Sequence, residues 1–195
     1  MKKLLLSAVL ALVSGMAAAE KADSYKPMEI KFDNLEVDDV KQQRIATGNV
    51  VLTRGTLLMK AARAVVSQTP EGFQHVVLTG GGGKATFRQK RDGEGDQWVE
   101  GEAERIEYDE NVELVKMFSK AKIKRLEGTK PSDEVEGEFI SYDSRKEFFS
   151  VKNTATGESK QGGGRGTMVI QPTRTAPPAT PPAAPAAPTT PPAGK

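Results

Sequence analysis

Apolar and polar positions alternate with a period of two along much of the chain, the pattern of strands with one buried face. Met28, Ile30 and Phe32 alternate with Glu29, Lys31 and Asp33. Val50 and Leu52, then Leu57, Met59 and Ala61, continue the pattern on either side of Arg54-Gly55-Thr56. A glycine there suits a tight turn, so the segment predicts a hairpin. Across residues 115–125, Val115, Met117, Ala121 and Ile123 hold one parity and Lys116, Lys120, Lys122 and Lys124 the other. A helix would scatter those two sets around its axis. Phe118 on the lysine side and Ser119 on the apolar side are the two exceptions.

An internal repeat points the same way. Val99-Glu100-Gly101-Glu102 leading to Ile106-Glu107-Tyr108-Asp109 recurs as Val135-Glu136-Gly137-Glu138 leading to Ile140-Ser141-Tyr142-Asp143, two residues shorter. Recurring strand and turn units predict an elongated stack in which each layer buries its apolar face by covering its neighbour. Gly162-Gly163-Gly164 reads as a flexible connection before a last short strand around residues 165–171, with Met168 and Ile170 on one face. No convincing amphipathic helix interrupts the body.

Composition divides the chain into three parts. Lys2 and Lys3, the apolar run from Leu4 to Met16 and Ala17-Ala18-Ala19 form an export leader, with cleavage expected between Ala19 and Glu20. Ser7, Ser14 and Gly15 interrupt that run, which falls short of the ~20 apolar residues of a spanning helix. Residues 20–171 form the β-domain. Nine of the twelve prolines lie from Pro172 onward, among Ala and Thr, so residues 172–195 read as a disordered tail that cannot pack a core.

Loss of residues 1–19 removes two of the 28 basic residues and none of the 26 acidic ones, leaving a formally neutral chain. The cationic field of a nucleic-acid binder is therefore absent, and no nucleic-acid partner is expected. With no cysteine, disulfides and thiolate metal sites are excluded, and the core must carry the stability alone.

Catalytic material is scarce as well. His75 is the single histidine, so the common nucleophilic triads and His/Cys metal centres lack their parts, and neither an enzyme, a metal nor a cofactor is expected. Gly80-Gly81-Gly82-Gly83-Lys84 departs from a phosphate loop: Ala85 stands where Ser or Thr should hold magnesium, Leu78 replaces the first glycine and no helix follows. It reads as a mobile turn. Glu100 with Glu102, and Glu136 with Glu138, lie on one strand face each and read as surface carboxylates rather than a glycosidase pair. The four lysines at 116, 120, 122 and 124 could meet lipid phosphates, but a solvated outer face is the better reading.

The order of segments resembles the LptA/OstA-like family of lipopolysaccharide-transport proteins. The resemblance rests on Asp23-Ser24-Tyr25-Lys26-Pro27-Met28-Glu29-Ile30, Thr47-Gly48-Asn49-Val50-Val51, Arg54-Gly55-Thr56-Leu57, Lys84-Ala85-Thr86-Phe87-Arg88-Gln89 and Val99-Glu100-Gly101-Glu102-Ala103, and it covers about residues 22 to 171. It implies an all-β, elongated, folded-over antiparallel β-jelly roll whose interior carries acyl chains while sugars stay outside. It also implies a periplasmic, non-enzymatic conduit that joins end to end with its own copies, between an LptC-like inner-membrane partner and an LptD-like outer-membrane partner.

On that reading the interior is left open lengthwise and its candidate lipid contacts are Met28, Ile30, Phe32, Val50, Leu52, Leu57 and Met59. Phe87, Ile106, Tyr108, Met117, Ile123, Ile140 and Tyr142 complete the set. Met28, Ile30 and Phe32 at one edge, with Met168 and Ile170 at the other, are the candidate assembly strands. Two alternatives stand beside it. One is a β-scaffold or filament with a filled core and no lipid; the other is an LptC-like sibling that keeps residues 4–16 as an anchor.

Overall fold

The computed structural model describes Asp23 and residues 25–172, in which twelve strands form one antiparallel sheet. They are β1 Glu29–Lys31, β2 Asn34–Asp38, β3 Gln43–Arg54, β4 Leu57–Gln68, β5 Gln74–Thr79 and β6 Ala85–Lys90. There follow β7 Gln97–Ala103, β8 Arg105–Asp109, β9 Leu114–Glu127, β10 Lys130–Asp143, β11 Phe148–Lys152 and β12 Thr167–Ile170.

The long strands explain the shape, because each pairs with different partners along its two halves. In β3, Asn34↔Thr47 and its neighbours pair the first half with β2, and Lys31↔Val51 the second with β1. In β4, Met59↔Phe87 pairs the first half with β6 and Val65↔Val77 the second with β5. β9 pairs with β8 up to Phe118 and with β7 from Lys122, and β10 pairs with β12 around Val135 and with β11 from Phe139. The sheet is thus folded over along a crease that runs across the strands. One layer holds β1, β6, β7 and β12 and the other β2, β5, β8 and β11, while β3, β4, β9 and β10 pass through both.

Local chemistry sets the crease. β3 turns at Gly48 (φ 77°) and Asn49 (φ 46°), and β9 at Ser119 (φ 63°) and Lys120 (φ 51°); register shifts mark the same places. Such bulges bend a strand and re-aim its side chains. The sequence exceptions at Phe118 and Ser119 are this bend. Phe118 remains on the outer face, edge-on to Phe139 with centroids 5.1 Å apart. The glycine run lies between β5 and β6 at the crease, where Gly80 N–H donates to Glu104 and Glu104 N–H to Ser119. Both copies of the repeat cross the crease, as β7 followed by β8 and as the single strand β10.

Beside the crease, the inward side chains of β3, β4, β6, β7 and β9 are small: Ala46, Ala64, Ala85, Ala103 and Ala121 are all buried, and Gly137 stands at this level in β10. Larger side chains at this level would hold the layers apart. One step further out, a Cβ on Gly101 would enter the ring of Phe87 and lie 2.6 Å from Met117 Sδ. Gly101→Val is expected to destabilise the domain by about 1–3 kcal/mol through overpacking, read as a lower urea midpoint.

Candidate functional site

The inward faces of the two layers meet in one apolar cluster that extends across the strands. Val50, Leu52, Leu57, Met59, Phe87 and Ile123 come from one layer, and Ile106, Tyr108, Met117, Ile140 and Tyr142 from the other. Met28 and Ile30 are half-buried and pack against this cluster at its N-terminal end. The interior set read from the sequence left out Val66, Val76, Leu78, Val99 and Val135, and also Val115, which had been placed on the apolar parity of its segment; all six are in the cluster. Their signal was present, since each keeps the inward parity of its strand.

Two expectations are corrected. The interior is not left open: Leu52, Met59, Leu78, Ile106, Met117, Ile140 and Tyr142 have no exposed surface. Facing side chains interdigitate, with the Phe87 and Tyr142 rings stacked at 6.4 Å across the layers. Phe32 does not belong to the interior or to an edge strand either. It is 39 % exposed and follows the end of β1, because Asp33 N–H donates to the carbonyls of Thr47 and Gly48 and turns the chain toward β2.

Opposite the crease, the layers end in hairpin turns and no strand pairs across them. Side chains close this slit instead. Arg54, at the end of β3, forms an ion pair with Glu110, beyond β8, and both are largely buried. Arg91, beyond β6, pairs with Glu147 in the turn before β11 and donates to Gln97. Arg125 in β9 donates to the carbonyl of Glu147 at 3.2 Å and lies 4.8 Å from the Phe149 ring centroid. Ser144 donates to the carbonyl of Glu113, tying two turns of the second layer.

The N-terminal end of the slit holds a cavity of about 380 Å³ between Met28, Ile30 and Val66 on its apolar side and Arg44, Arg54 and Glu110 on its polar side. Buried Asp23 fixes this corner, accepting from Thr56 N–H at 2.7 Å and from its hydroxyl at 2.5 Å. Arg54 Nε in turn donates to the Lys26 carbonyl. Sequence reasoning had noted Asp23, Arg54 and Thr56 only as motif members; the Asp23–Thr56 contact spans 33 residues and has no local signature.

The outer face behaves as the solvated reading expects. Lys122 lies 2.8 Å from Glu134 and 2.6 Å from Glu136, Lys124 lies 3.2 Å from Glu134, and Lys120 lies 2.6 Å from Glu104. The hydrogen bonds that Lys122 donates to Glu134 and Glu136 hold its ammonium above its ordinary range. Glu100 and Glu102 pair with Arg88 and Lys84 rather than acting together. His75 is a half-buried residue of β5 opposite Asp109.

At the two ends, β1 and β2 pair only with β3, and β11 and β12 only with β10 among the described residues. The free rims are apolar: Leu35 and Val37 on β2, Phe148 on β11, and Met168, Val169 and Ile170 on β12 are exposed. The leader, its Ala19–Glu20 junction and residues 173–195 of the tail lie outside the described residues.

Residues 29–148 match the family described as the LptA/(LptD N-terminal domain) LPS transport protein. The chain is 30 % identical over 159 residues to the lipopolysaccharide export system protein LptA of Haemophilus influenzae, covering 81 % of this chain and 87 % of that one. It is 27 % identical to LptH of Pseudomonas aeruginosa, with 85 % and 91 % covered. A crystal structure of that LptH, described as the LptA-homologous periplasmic component of the lipopolysaccharide transport device, superimposes with a TM-score of 0.66 at 26 % identity, covering 77 % of this chain and 99 % of its own.

The slit carries a pH signature. Burial pushes the Tyr108 phenol up to about 12, against the pull of the Arg54 guanidinium. Because the folded value lies above the unfolded one of about 10, this contribution is fully present below pH ~10 and is lost as pH rises toward ~12. The difference in unfolding free energy between wild type and Tyr108→Phe is expected to change by about 2–3 kcal/mol over that window, measured by denaturant titration at stepped pH.

Proposed function

The chain belongs to the LptA/(LptD N-terminal domain) LPS transport protein family, and from that premise we propose that it is a periplasmic carrier of lipopolysaccharide and part of a bridge between the inner and outer membranes. The observation that carries this reading is the single apolar interior, which extends from the β1/β2 end to the β11/β12 end beneath two layers that, among the described residues, meet at the slit through side chains with no strand pairing across it. Acyl chains gain roughly 0.8 kcal/mol per buried methylene. An interior made of two separable apolar faces can therefore exchange side-chain contacts for lipid contacts as the layers part. The neutral, cross-paired outer face needs no lipid partner and leaves sugar and solvent outside.

The ends supply the bridge. Each offers an unpaired strand edge flanked by exposed apolar side chains, the arrangement that accepts a further strand from another chain. Copies of this chain would join β1 or β2 of one to β11 or β12 of the next, with an LptC-like partner and an LptD-like partner at the two termini of the row. Cleavage after Ala19 would release the mature chain into the periplasm. The relatives are transport proteins, which agrees with a non-enzymatic role.

The closed interior favours one rival, a β-scaffold without cargo. A photoreactive side chain at Phe87 or Tyr108 is expected to capture lipopolysaccharide in cells, and one at outward Lys116 is not. Depletion of the protein should lower surface lipopolysaccharide; capture only at Lys116, or normal surface lipopolysaccharide after depletion, selects the scaffold. Ile170→Asp is expected to shift the mature protein toward monomer in sedimentation, since it places a charge on the β12 edge.

A further inference from the structure

The interior changes character toward the slit. Near the crease it is apolar, and at the rim oppositely charged groups meet across the slit, with Arg44 also on the second lip. The first lip presents Arg54, Arg91 and Arg125, with Asp133 lying 3.7 Å from Arg125; the second presents Glu110 and Glu147. The ion pairs across the slit are at least partly desolvated. Arg54 and Glu110 retain 8 % and 14 % of their side-chain exposure, and Arg91 and Glu147 retain 15 % and 33 %.

Separating such a pair leaves a guanidinium at the edge of an apolar interior, which is strongly unfavourable unless another anion takes the carboxylate's place. A molecule that brings acyl chains and an anionic group together can make that replacement. Its chains enter between the layers while its anion meets the guanidinium fork, which suits phosphate as well as carboxylate. Arg91 has a donor to spare, since its Nε–H is buried without an acceptor among the described residues. The cavity beside Arg54 joins apolar Met28, Ile30 and Val66 to the same kind of rim.

We propose that Arg54 and Arg91 are exchange latches: paired with Glu110 and Glu147 they close the empty slit, and a phosphorylated amphiphile opens it by displacing those carboxylates with its phosphate. The proposal rests on the lipid-carrying reading and adds to it the residues that select a phosphorylated lipid and hold the empty protein shut. No covalent step is involved, and the charge on each arginine remains neutralised in both states.

The rim pair Arg91–Glu147 is the place to test it, being less buried than Arg54–Glu110. Binding of dioctanoyl phosphatidic acid and of dioctanoyl glycerol would be measured by calorimetry on the mature wild type and on Arg91→Gln, Arg91→Lys and Glu147→Gln, with urea midpoints showing that each is folded. Wild type should prefer the phosphorylated lipid. Glu147→Gln removes the competing carboxylate, so both lipids should bind roughly two- to fivefold more tightly, the span of a partly exposed ion pair. Arg91→Gln should lose tenfold or more in affinity for the phosphorylated lipid, the loss of a charged hydrogen bond, while binding the neutral one at least as well as wild type. Arg91→Lys should restore part of the preference.

Equal shifts for both lipids in Arg91→Gln, or no change in Glu147→Gln, would show a structural brace and overturn the exchange alone. Failure of the folded wild type to bind either lipid would overturn the lipid-carrying reading and the exchange with it.

Discussion

A sheet can be folded onto itself only where its two halves are able to approach, and in this protein that requirement falls on a row of small inward side chains at the crease. Ala46, Ala64, Ala85, Ala103 and Ala121 stand at that level in successive strands, with left-handed residues at Gly48–Asn49 and Ser119–Lys120 turning β3 and β9. From there the layers diverge enough to seat Leu52, Met59, Phe87, Ile106, Met117 and Tyr142 between them. Each large side chain so buried stabilises the fold by about 1.5–3 kcal/mol, so the apolar interior exists because the crease is narrow.

That arrangement gives the domain one strong side and one weak side. The continuous backbones of β3, β4, β9 and β10 cross the crease, whereas at the slit the layers meet through Arg54–Glu110, Arg91–Glu147 and the contacts of Arg125. Side-chain pairs of this kind can be exchanged one at a time, but a covalent chain cannot. The long axis, about eight strands or roughly 35 Å from strand spacing, ends in unpaired edges whose apolar side chains are exposed. The carrier role proposed above needs both properties: a wall that yields to acyl chains along its length, and ends that continue into another wall.

Much of this was legible in the chain because strand periodicity is local. Parity alone placed Val50, Leu52, Leu57, Met59, Met117 and Ile123 on the inward faces, and the repeat identified two segments, the second holding Ile140 and Tyr142, that occupy equivalent positions across the crease. Phe32 shows where parity stops being informative: it continues the alternation of Met28 and Ile30, yet β1 has ended and the backbone has already turned. Of the crease alanines only Ala121 was read as inward, for a related reason. An alanine in an alternating run looks like a weak apolar residue, and its importance comes from the opposite layer, which local pattern does not contain.

The sequence by itself determined the all-β class and the face that most strands turn inward, because these depend on residue type and on spacing by two. Tertiary structure alone decided that the interior is closed, that glutamates neutralise the outer lysines, and that Arg54 and Arg91 meet Glu110 and Glu147. Those outcomes depend on segments far apart in the chain. A carboxylate and a guanidinium 56 residues apart, as Glu147 and Arg91 are, become partners only after the sheet has folded over and brought its two lips together.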